Sequence, residues 1–148
     1  MTRKTPLKGG GPLKRTGALA RSTALTRTQQ ARKQQRTPRT PQEVRARQLV
    51  AQRSNSVCEV CGNTPASNFH HRKNASQGGP WTASNGMALC GSGTTGCHGY
   101  ITEHPEHARR SGWSVPSHAD PLRTPVWLAR HGWVLLNDNG TFENEEAA

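Results

Sequence analysis

Four cysteines and three of the seven histidines crowd into one stretch, residues 57–100. Cys58 and Cys61 form a C-x2-C knuckle, and Cys90 and Cys97 form a wider C-x6-C pair. Two such pairs suit a tetrahedral zinc ion held by four thiolates. The expected role of Zn2+ is structural. A rival ligand set keeps three cysteines and uses His98 in place of Cys97. A reducing compartment favours metal over disulfides for this spacing, although disulfide pairing stays an alternative.

The histidines point to a second centre. His70 and His71 are adjacent, Asn85 follows, and His98 comes directly after Cys97. Successive side chains on a strand point to opposite faces, so His70 and His71 can divide two roles. One can hold a metal while the other faces an attacking water. Histidine near its ordinary pKa of about 6.5 is largely neutral at pH 7 and can accept a proton. Neighbours on a helix diverge by about 100°. Cys97 can therefore face the zinc while His98 faces His70. Asn85 offers one acceptor and two donors, enough to pin the loop after His71.

These residues need elements to position them. Phe69–His70 reads as a strand ending at the histidine doublet. Residues 74–85 contain Gly78-Gly79-Pro80 and read as a long irregular loop. Residues 86–90 form a short apolar run and a second strand. Residues 91–96 read as a loop. A helix should start near Cys97–His98, run to about His104, restart at Pro105 and end by Arg109, Arg110 and Gly112. Upstream, Thr40, Pro41 and Glu43 make a helix start, with a capping box. The expected helix covers 41–54, with Val44, Leu49 and Val50 inward and Arg45, Arg47 and Arg53 on or near the polar side. Downstream, residues 114–125 carry three prolines and read as an extended linker. Two short strands follow around Arg130-His131-Gly132. A turn at 137–140 and an acidic tail at 143–148 complete the chain. The tryptophans read as packing groups.

Composition fits a small fold with outside help. The chain has 148 residues, of which 31% are hydrophobic, and its mean hydropathy is −0.84. Such a chain cannot fill a large apolar core without a staple. The charge is uneven. Residues 1–57 carry 14 Lys/Arg and one acid, whereas residues 58–148 carry six and eight, giving +11 overall. The first 40 residues, poor in large apolar groups, read as a disordered basic arm suited to a polyanion, nucleic acid above all. No apolar secretory leader and no run of about 18 apolar residues is present, so the expectation is a cytoplasmic chain with no membrane span.

The motifs C-E-V-C-G, F-H-H-R-K, N-G-M-A-L-C-G-S-G-T-T-G-C-H-G-Y-I and G-W resemble the HNH endonuclease family, in particular its zinc-stapled members from actinobacterial phages. The resemblance covers about residues 55–113. It implies a small α+β fold, a ββα-metal, treble-clef-like core, with a basic arm at 1–40, a nuclease domain at 41–113 and a linker, hairpin and tail at 114–148. It implies hydrolysis of phosphodiester bonds in DNA. By the family pattern His70 would be a metal ligand, His71 the general base, Asn85 the orienting residue and His98 the second ligand. Many relatives have a further histidine where this chain has Thr102. Mg2+ or Mn2+ is the expected catalytic ion, and two imidazoles would also accept Ni2+, Co2+ or Zn2+. Arg72 and Lys73 either hold flanking phosphates or are a solvated pair. A phage terminase or packaging protein is a candidate partner, with host cytoplasm as the compartment. A zinc-stabilised nucleic-acid-binding module without activity, and the same site acting on RNA, are the competing readings.

Overall fold

A computed structural model describes residues 38–145. The basic arm expected at 1–40 therefore lies outside the described residues except for 38–40, and so does the end of the acidic tail.

Helix α1 covers Pro41–Ser54. Thr40 caps it by accepting from the Glu43 N–H at 3.2 Å, and Asn55 ends it in the left-handed conformation. The Glu43 carboxylate does not return to the cap, as a full capping box would need. It takes Arg39 and Arg47 instead. The inward stripe also differs from the expected one. Ala46 and Val50 are buried, while Val44 is 41% exposed. Arg53 completes the inward face. Its guanidinium pairs with the buried Glu59 carboxylate at 2.7 and 3.0 Å and donates to the carbonyls of Ala83 and Gly86. Glu59 in turn accepts from the Ala88 N–H at 2.8 Å. A residue expected near the polar side thus anchors α1 to the cysteine knuckle and the following strand. Every charge and donor in that anchor has a partner, which is the condition for burying it.

Strands β1 (Asn68–His71) and β2 (Gly86–Leu89) pair antiparallel, with His70 opposite Met87 and His71 opposite Gly86. The Phe69 ring lies across Gly86, where any Cβ would meet it at 2.3 Å. Helix α2 covers Gly96–Glu103, and α3, restarted by Pro105, covers Pro105–Arg110. The order strand, strand, helix matches the reading from sequence.

The C-terminal stretch forms a three-stranded antiparallel sheet of β3 (Val126–Leu128), β4 (Gly132–Leu136) and β5 (Phe142–Asn144). The third strand was expected to be tail. It pairs because Phe142 stands opposite Leu136 and packs on the core. Val126, Leu128, Val134 and Leu136 share one buried cluster with Met87, Leu89, Ile101 and Trp113. The described residues, 38–145, accordingly belong to one compact unit. Trp113 is buried and packs as expected, but Trp127 and Trp133 form an exposed cross-strand pair.

The segment read as an extended linker is clamped by Arg72. This side chain is 1% exposed. Its five N–H groups reach five carbonyls, those of Gly112, Ser84, Pro121, Thr124 and Pro125, at 2.7–3.2 Å. The planar fork of five donors makes arginine suited to this post, and lysine could not fill it. The assignment of Arg72 to phosphate is corrected on this ground. No donor remains to meet a phosphate. Burial pushes its pKa down to about 9, which still leaves it charged at neutral pH.

No helix among the described residues is long and apolar enough to cross a membrane.

Candidate functional site

The four cysteines converge from two turns. Cys58 and Cys61 sit on the knuckle after α1. Gly62, at φ +75°, lets that chain reverse. Cys90 follows β2, and Cys97 lies in the first turn of α2. The loop between them closes tightly at Gly91, φ +84°, where a Cβ would lie 2.0 Å from the Thr95 carbonyl oxygen. All four cysteines are free, and their sulfurs lie within 4.8 Å of one another. Cys61 Sγ is 4.0 Å from Cys90 Sγ. Tetrahedral Zn–S bonds of about 2.3 Å place sulfurs about 3.8 Å apart, close to the spacing of this cluster, so the four cysteines could hold a zinc-sized ion. His98 is not in this cluster.

The thiols behave as an interacting set. Burial pushes Cys58 up. Burial and the neighbouring sulfurs push Cys97 far above the usual thiol range. Burial also raises Cys61, but N–H groups of Asn63 and Thr64 outweigh it and bring that thiol down to about 6. Four thiolates this close repel one another, and a dication is what lets all four ionise together.

The histidines divide about β1. The His70 ring faces His98, with centroids 5.3 Å apart. His70 Nε2 donates to the Trp113 carbonyl at 2.9 Å, which leaves the lone pair on Nδ1. Burial holds the His70 pKa down to about 4, so the ring stays neutral. Burial likewise lowers His98. His98 Nδ1 is buried and has no hydrogen-bond partner. Two neutral imidazoles, one fixed by a carbonyl and one with an orphaned nitrogen, fit as a ligand pair for a divalent ion.

His71 lies on the other face of the strand with Phe69. Its ring meets Trp81 edge-on, 4.2 Å between centroids. Asn85 is fully buried. Its Oδ1 accepts from the Lys73 N–H at 2.6 Å, and its Nδ2 donates to the carbonyls of Pro80 at 2.9 Å and Lys73 at 3.1 Å. The same Nδ2 lies 3.4 Å from His71 Nδ1. Asn85 thus joins the loop after His71 to the start of β2, with both its N–H groups and its carbonyl oxygen engaged. Burial, then the positive charge of Arg47, lower the His71 pKa, with Glu43 opposing. Lys73 reaches the Ala119 carbonyl at 3.4 Å. The Thr102 hydroxyl donates back to the His98 carbonyl at 3.2 Å, as helical threonines do, and adds nothing to the ligand pair.

The residues that sequence reasoning missed are Arg47 and Trp81, which stand beside His71. The Arg47 guanidinium lies 5.1 Å from the ring centroids of both Phe69 and Trp81. Its sequence signal was its place three residues before the buried Val50, on the edge of the inward stripe. No family model matches the chain, and neither the curated proteins nor the solved structures compared with it include a match.

Proposed function

We propose that the chain is a metal-dependent HNH-type endonuclease that hydrolyses phosphodiester bonds in DNA, built on a ββα core stapled by zinc. The observation that carries this reading is the division of the histidines: His70 meets His98 on one face of β1 while His71, pinned beside Asn85, occupies the other. A purely structural metal needs no neighbouring base, and a base needs no ligand pair next to it.

In this reading the His71 imidazole takes a proton from water, which attacks phosphorus in line. Asn85 holds the loop that carries this imidazole. His70 and His98 would hold Mg2+ or Mn2+, which when bound offsets charge on the phosphate and on the leaving 3′-oxygen. The Trp113 carbonyl keeps the His70 ring in position. Trp81 and Phe69 pack edge-on against His71 and shield one side of its ring. The basic arm would supply phosphate contacts over a longer length of DNA.

The test is cleavage of supercoiled plasmid by zinc-loaded protein with Mg2+ or Mn2+ added. Nicked or linear product with the parent, and none with His71→Ala, supports the reading. Equal or absent product from both proteins refutes it. The two-ligand metal site, with Thr102 turned to its own helix, favours the module without activity as the alternative, and that alternative predicts binding without product.

A further inference from the structure

Beside the edge of β1 runs a groove of about 150 Å³, walled by α1 and floored by Val50, Ala66 and Phe69. Arg47 stands at its mouth. The rings of Phe69 and Trp81 stand between that guanidinium and His71. The Nε of Arg47 donates to Glu43 at 2.9 Å. Neither of its Nη groups bonds to another described residue. It is thus a cation with its stem fixed by two rings and a carboxylate, and with its two outer donors pointing elsewhere. Arg72, the arginine closest to His71 in sequence, has no donor left.

We propose that this groove seats one nucleotide of the substrate strand, with its phosphate on Arg47 and its base over the apolar floor. The proposal rests on the nuclease reading for which strand lies there. The chemistry is complementary at each point. An arginine fork suits a phosphate diester. The floor is apolar and partly aromatic, as a base face requires. The rim carries Ser67 and Asn68, and the side-chain Oδ1 of Asn68 makes no bond to another described residue, so it can accept from a base edge. At about 150 Å³ the groove has the size of one flat ring system, and a base whose face lies on its floor has left its stack. The seated nucleotide is therefore unpaired, and the favoured substrate carries single-stranded character beside the cut.

The experiment measures binding of short fluorescent oligonucleotides to the full zinc-loaded chain, in a His71→Ala background that prevents turnover. All proteins compared carry the same basic arm. Arg47→Gln is expected to weaken single-strand binding on the order of tenfold and to reduce the salt slope by about 0.7, one phosphate contact on a single strand. Arg47→Lys should restore the slope. Ala51→Leu, at an exposed helical position on the groove wall, should weaken binding several-fold for the intact oligonucleotide and leave an abasic one unchanged. Zinc content and melting check that each variant is folded. Parental binding by Arg47→Gln overturns the phosphate seat. Equal losses on intact and abasic strands with Ala51→Leu overturn the base seat. Failure of the nuclease reading shows separately, as no plasmid cleavage by the parent, and leaves these binding differences readable.

Discussion

The cysteine cluster and the histidine site share one short element, the first turn of α2, yet they are built to opposite specifications. The cysteine site is closed. It has four donors within 4.8 Å of one another, the full set that a tetrahedral zinc ion takes. The histidine site is open. It has two facing rings, an orphaned nitrogen, and a third histidine kept on the far side of the strand. A closed shell suits an ion that holds a fold, and an incomplete shell suits an ion that must also bind substrate. Cys97 and His98 are adjacent, and the 100° step of a helix sends one to each site.

This contrast can be broken most severely at the closed site. Cys58→Ser or Cys90→Ser should lose zinc and cooperative folding, since structural zinc contributes roughly 10–16 kcal/mol in small zinc peptides. Circular dichroism melting beside zinc analysis measures it. A variant that keeps one zinc per chain and melts like the parent would remove the distinction altogether.

Next in size is a third kind of centre, the metal-free one at Arg72. Arg72→Met should cost on the order of 3–5 kcal/mol, because it strands carbonyls that a buried cation now satisfies. Arg72→Lys should recover little of that. Urea unfolding gives the number. A loss below about 1 kcal/mol would mean the segment 114–125 holds itself in place. Zinc content should stay at the parental level in both variants, which separates this clamp from the staple.

At the open site, His71→Ala should lower cleavage by about 10²–10⁴-fold, the usual scale of general-base help. Its melting temperature and zinc content should not move. Plasmid cleavage rates read the effect, and a rate within twofold of the parent would assign the proton to another group. The smallest structural effect belongs to removal of residues 1–40, which deletes 11 Lys/Arg and no acids. Melting of the remaining chain should be unchanged, while DNA affinity falls and its salt dependence flattens. An unchanged salt slope would show that the arm touches no phosphate.

Much of this was legible in the residues. Thr40-Pro41 and Asn55 bound a helix with strong local signals, and α1 spans the expected 41–54. A strand ending at the histidine doublet and a second in the apolar run at 86–90 were both read, and Pro105 marked the break between α2 and α3. Local chemistry could not reveal the long-range partners. Arg72 looks like a surface basic residue because its five acceptors are carbonyls, spread over positions 84–125, that any sequence would supply. Arg53 and Glu59 look like separate surface charges until α1 is laid against the knuckle. Strand β5 was hidden because Phe142 is its one apolar residue. At the site, residue types and spacing foretold that His70 would meet His98, since strand alternation and helical rotation are local. They did not foretell that α1 brings Arg47 to His71, which depends on how two separate elements pack.

The central claim is that Cys97 and His98 serve two separate metals. It is tested most directly by His98→Ala, with calorimetric Mn2+ titration and zinc analysis on the same preparation. The account predicts one zinc per chain, parental melting, and loss of the Mn2+ heat together with plasmid cleavage. Loss of the zinc, or retained Mn2+ binding with parental cleavage, would contradict it.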